Sequence, residues 1–168
     1  MKIRYAAILF LLAFFIQTSI LNFVSIFGIT PNLILCLVAI ITFLYVDSKA
    51  YVFAIIFGLL WDMCNGPFLG VSAFAYLMVS LAVLGLRETI NKENKISAII
   101  VSIVATLIYN LVYFVICAGF GNEYSILYWI KLQPGYMAYN TVVIFILYCI
   151  LIKKVVRFRN DRFLVKKR

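Results

Sequence analysis

Six apolar runs follow one another, at residues 5–27, 31–46, 50–64, 69–86, 96–119 and 137–152. A helix that crosses a hydrocarbon core needs about 17–25 apolar residues. Each run is near that length, with the second, third and last on the short side. In lipid every backbone N–H and C=O must find its partner inside the protein, which leaves helices as the structure for such runs. The expectation is an all-α integral membrane protein, a bundle of six transmembrane helices. Composition agrees: 66% of residues are hydrophobic, 12% are charged and the mean hydropathy is +1.10, against about 45–50% apolar content in a soluble domain. The connections are so short that residues 1–168 read as a single membrane domain ending in a basic tail at 153–168.

Charge sets the expected orientation. Lys2, Arg4, Lys49, Arg87, Lys92, Lys95 and the eight basic residues of the tail fall on one side of a six-span chain, and only Lys131 of the fifteen Lys and Arg residues falls on the other. Lys and Arg are retained on the cytoplasmic side, so both termini are expected in the cytoplasm. A polybasic segment beside a membrane gains about 1 kcal/mol per charge from anionic lipid. Anionic lipid is therefore the expected partner of the tail, with no nucleic acid. The first run exceeds the apolar core of a secretory signal and offers no small-residue cleavage site, so it reads as a span. Cys36, Cys64, Cys117 and Cys149 fall one to each of four runs, and the chain has no histidine. They read as small core residues, with no metal and no cofactor.

The polarity concentrates between the third and fourth runs. There Gly58, Asp62, Asn65, Gly66, Pro67 and Gly70 place a carboxylate, an amide, three glycines and a proline at membrane depth. A charged side chain there costs at least about 2.5 kcal/mol. At 1.5 Å per residue Asp62 lies about 18 Å from Ala50, and Pro67 then stops a continuous helix. Broken backbone at that depth must be buried in protein or face a water-filled cavity. Three roles fit Asp62: accepting from the free amides at the start of the fourth span, binding a partner or ligand, or proton chemistry.

Polar stripes mark other spans. Gln17, Thr18, Asn22 and Ser25 lie in the outer half of the first, Ala98, Ser102, Thr106 and Asn110 recur at i, i+4 in the fifth, and Tyr139, Asn140 and Thr141 open the sixth. Such residues join helices by hydrogen bonds or face a ligand. The second span has almost no polarity between Leu33 and Leu44 and is expected to face lipid, with Thr30 and Pro31 as its start signal. The fourth, rich in small residues, is expected at the centre. Residues 87–95 read as a solvated turn. Ile126, Trp129 and Ile130 at i, i+3 and i+4 suggest a short interfacial helix, from which Pro134-Gly135 leads into the sixth span. Phe68, Tyr124, Tyr128 and Trp129 on the outer rim are candidates for partner contact or for an interfacial aromatic belt.

The pattern Gly58-x-x-x-Asp62-x-x-x-Gly66-x-x-Leu69-Gly70-x-x-Ala73-x-x-Tyr76, with Thr30-Pro31-Asn32-Leu33 upstream and Gln17 in the first span, resembles the bacterial rod shape-determining protein MreD family. The resemblance extends to length, span number and basic tail. It implies a non-enzymatic inner-membrane component of the wall-elongation machinery, associated with the single-pass protein MreC and through it with the MreB filament and the RodA and penicillin-binding protein synthase pair. The family is similar in fold to the substrate-binding subunits of energy-coupling-factor transporters. That likeness opens a second reading, with Gln17, Asn22, Asp62, Asn65, Asn110 and Asn140 lining a vitamin-like pocket. The A-x-x-x-A docking pattern of those subunits is missing from the first span, which has Ala6, Ala7 and Ala13. An enzyme is the weakest reading, because Asp62 has no second acid within its span and no histidine to work with.

Overall fold

The computed structural model describes residues 3–19, 29–45, 49–92, 94–121 and 126–165, with side chains described up to residue 152. Asn22, Ser25, Glu123, Tyr124 and the side chains of the basic tail lie outside the described residues. Among the described residues six helices follow in order: α1 (Ile3–Ser19), α2 (Leu33–Leu44), α3 (Ala50–Asn65), α4 (Val71–Thr89), α5 (Lys95–Gly119) and α6 (Ile126–Val165). Three of them are long and apolar enough to cross a membrane, namely α4, α5 and the part of α6 over Ile126–Ile152, while α1, α2 and α3 are shorter apolar helices.

The centre of the bundle is α2, which packs against all five other helices. Around it α1 meets α3, α3 meets α4, α4 meets α5 and α5 meets α6, and among the described residues α1 and α6 do not touch. The result is a ring open on one side. Every residue of α2 from Ile34 to Leu44 is buried, so the expectation that this helix faces lipid is wrong. A helix apolar on all sides suits lipid and core alike, and what decides is whether neighbours enclose it.

Enclosure also changes how α2 ends. Its N-cap is Asn32, whose side chain accepts from Leu35 N–H, and Thr30 is not the cap. At its other end Arg87 donates from Nη1 to the carbonyls of Thr42 and Tyr45, at 3.4 and 3.5 Å. Arg87 lies in the last turn of α4, so it is a helix residue and not part of a solvated turn. A cation there meets the negative end of α2.

Two close contacts hold α3 and α1 in place. A Cβ built on Gly58 of α3 would collide with Ala73 Cα and lie 2.7 Å from Ala73 N, so α3 and α4 touch backbone to backbone. Phe10 of α1 stacks on Phe53 and Phe57 of α3 with ring centroids 5.2 and 5.4 Å apart. Of the cysteines, Cys36 and Cys117 are buried, but Cys64 is exposed.

The expected interfacial helix and sixth span are one helix, α6, with Pro134 inside it. Proline removes a donor and crowds the preceding turn, yet helices run through it where neighbours re-satisfy the backbone. Beside the break Gln133 Nε2 donates to Trp129 O at 3.4 Å, and the bare face of Gly135 lies against Ile29 Cδ1.

Candidate functional site

The polar residues gather at one end of the bundle, where α3 gives way to α4. The final turn of α3 closes with Gly66 N–H donating to Asp62 O at 2.9 Å. Residues 66–70 then lead to Gly70, the N-cap of α4, at φ +93, a left-handed conformation that glycine adopts freely. Gly70 has no side chain to accept from the first amides of α4, which a helix start leaves without partners. Asp62 supplies the acceptor from the preceding helix: Ser72 N–H donates to its Oδ2 at 2.8 Å. The carboxylate, 3% exposed, thus sits at the positive end of α4. Its Oδ1 has no hydrogen-bond partner among the described residues. Gly66 is a glycine for reasons of space, since an added Cβ would lie 2.8 Å from Asp62 Cα and 3.0 Å from Oδ1. Asn65 and Pro67 are exposed.

A second network surrounds the start of α2. Gln17 Oε1 accepts from Ile34 N–H at 3.0 Å, and Asn140 Oδ1 accepts from Asn32 N–H at 3.0 Å. Asn32 Oδ1 takes both Leu35 N–H and the Tyr76 hydroxyl, each at 2.9 Å. Side chains from α1, α4 and α6 therefore converge on one helix terminus. Tyr76 stacks on Tyr109 with centroids 4.9 Å apart, and the Tyr109 hydroxyl is 3.4 Å from Ser72 Oγ. This joins the α3–α4 junction to the start of α2. The α5 stripe mates with α6: Ser102 pairs with Thr141 at 3.0 Å, Thr106 accepts from Asn140 Nδ2 at 3.2 Å, and Asn110 Nδ2 donates to Gln133 at 2.9 Å.

Between these networks lies a cavity of about 430 Å³. Gln17, Asn110 and Asn140 line it, whereas Asp62 and Asn65 do not, and Asn22 lies outside the described residues. Of the rim aromatics, Phe68 stacks on Phe120 at 4.5 Å and Trp129 lies tilted on Phe114 at 5.2 Å. Tyr128 is 62% exposed. Sequence reasoning passed over Tyr109 and Gln133, and it met Asn32 and Tyr76 only as positions of the family pattern, without a role. Asn32 carried a signal, an Asn immediately before an apolar run. The polar role of the two tyrosines carried none, because an aromatic ring inside an apolar span reads the same whether it faces lipid or a polar network.

The fold and site define an all-helical membrane protein whose polar residues tie helix termini together at one end. A family model for the rod shape-determining protein MreD matches residues 2–158, nearly the whole chain. The chain belongs to that family and has a role in determining rod shape. No curated protein and no solved structure matches it.

Proposed function

We propose that the chain is a non-enzymatic scaffold or regulator of wall elongation in the bacterial inner membrane, acting through an MreC-type single-pass partner. Through that partner it connects to the MreB-type filament and the RodA and penicillin-binding protein synthase pair. In this reading all six helices cross the membrane as one domain, with both termini and the basic tail in the cytoplasm. The short α2 is compatible with it, because protein encloses this helix and Gln17, Asn32 and Arg87 meet its terminal backbone groups, so the chain beyond its ends can complete the crossing without exposing unpaired backbone to lipid.

The observation that carries the partner role is the start of α6. Ile126, Leu127 and Tyr128 are 61, 80 and 62% exposed, while Phe68 and Trp129 each rest on an aromatic neighbour of their own chain. Tyr128 is then a contact, and Phe68 and Trp129 shape the surface around it; Tyr124 belongs to the same rim by sequence. Tyr128→Ala should lower copurification of the partner by about tenfold, or about 1.4 kcal/mol, at unchanged abundance. Phe68→Ala should instead lower abundance and leave the bound fraction intact. Full copurification of Tyr128→Ala at normal abundance would move the contact away from this rim.

The cavity favours a second reading, a vitamin-binding subunit like those of energy-coupling-factor transporters. Against it, Ala6 and Ala13 of α1 are buried, and the exposed face of that helix carries Tyr5, Ile8, Leu12 and Phe15. Docking through small residues has no small-residue face to use there.

A further inference from the structure

The chain has two tryptophans, and both Trp61 and Trp129 line the 430 Å³ cavity. Its volume falls within the roughly 300–1,000 Å³ of small-molecule sites. The orientation of the lining amides follows from their backbone partners. Gln17 must present Oε1 to Ile34 N–H, which leaves its Nε2 as a donor with no partner among the described residues, on a side chain only 4% exposed. Gln133 must present Nε2 to Trp129 O, so its Oε1 takes Asn110 Nδ2 and Asn110 Oδ1 is left as an acceptor. No charged side chain lines the cavity among the described residues.

These features select the ligand. An anion would be buried without a counter-charge. A purely apolar molecule would leave the Gln17 donor and the Asn110 acceptor unmet. A cation would use the aromatic rings and waste the amides. A neutral ring with hydroxyls at its edge and a C–H face uses both, because the face stacks on indole and phenol while the hydroxyls donate and accept. We propose that this cavity binds the ring of a neutral sugar, either free or as the headgroup of a glycolipid. Among the described residues the open side of the ring lies between α1 and α6, the helices that carry Gln17 and Trp129, and gives such a headgroup a lateral approach.

Because the two tryptophans are the only ones in the chain, tryptophan emission, excited at the red edge where tyrosine does not absorb, reads this site alone. The full chain is placed in lipid vesicles of phosphatidylethanolamine and phosphatidylglycerol that hold no other protein. One arm is titrated with glucose, galactose and N-acetylglucosamine, and the other contains increasing glucosyl diacylglycerol. A saturable emission change is expected, and Asn110→Ala, which keeps both indoles, should weaken it at least tenfold. A response to the free sugars assigns a soluble ligand, and a response to the glycolipid alone assigns a lipid-borne one. Flat emission in both arms overturns the proposal, as does a response to tetramethylammonium in place of the sugars, or equal binding by Asn110→Ala and wild type. If the variant does not fold, the wild-type titration decides by itself. The readout contains no partner protein, so it can succeed or fail independently of the assembly role.

Discussion

At the scale of the residue, Asp62 works as a cap for a helix other than its own. What Ser72 N–H requires is an acceptor at 2.8 Å, and the negative charge adds attraction to the positive end of α4. Asp62→Asn keeps an acceptor, so abundance and rod shape should be largely retained. Asp62→Leu strands a buried amide and should destabilise by about 1–3 kcal/mol, read as lost abundance and rounded cells. An Asn variant present at wild-type level in cells without rod shape would point to proton chemistry or partner contact instead. Gly58→Ala tests a different constraint, the backbone contact with Ala73. Forcing a methyl into that contact should cost about 1–3 kcal/mol and lower the thermal midpoint. Gly70→Ala has open space around it and meets only the penalty of its positive φ, about 1–2 kcal/mol. Asp62 is conspicuous in the sequence because charge in an apolar run demands a reason. That Gly58 faces Ala73 is invisible there, since the pairing depends on how α3 and α4 turn toward each other.

At the scale of the element, α2 and α6 show where pattern reading fails. The two ends of α2 are completed by side chains from other helices, Gln17 and Asn140 at one and Arg87 at the other. Arg87→Met removes the cation from the Thr42 and Tyr45 carbonyls and should cost about 1 kcal/mol, with partial rescue by Arg87→Lys, measured as the thermal midpoint in detergent. An unchanged midpoint would mean that water or lipid already meets those carbonyls. Asn32→Ala removes the acceptor of both Leu35 N–H and the Tyr76 hydroxyl. It should destabilise more than the roughly 0.5–2 kcal/mol of an ordinary N-cap loss. In α6, Pro134-Gly135 resembles a helix break because proline and glycine end helices in water. Packed against α5 and α2, the helix passes through both.

At the scale of the whole molecule, the six-span orientation rests on the distribution of basic residues. In a background without the four cysteines, single cysteines at Ser48, Ile90 and Val165 should be labelled from the cytoplasm, and those at Ile29 and Ser125 from outside. External labelling at Val165 would overturn the six-span arrangement. Among the described residues the ring of α1, α3, α4, α5 and α6 around α2 has one enclosed helix and one open side. The apolar faces that remain, such as Ile8, Leu12 and Phe15 of α1, suit lipid as they stand.

What the sequence by itself determined is the class: long apolar runs admit only helices in a membrane, and the motif around Asp62 with Thr30-Pro31-Asn32-Leu33 carries the family. The tertiary structure alone decided which helix lies inside. In water the hydrophobic effect writes burial into the apolar pattern, but lipid is as apolar as a protein core, so that pattern no longer separates inside from outside. The place of α2 at the centre goes with side-chain amides of other helices that meet its first turn, while close backbone approach joins its neighbours α3 and α4. These are relations between distant positions such as Gln17 and Ile34, Asn32 and Asn140, and Gly58 and Ala73. A chain read one residue after another does not display them.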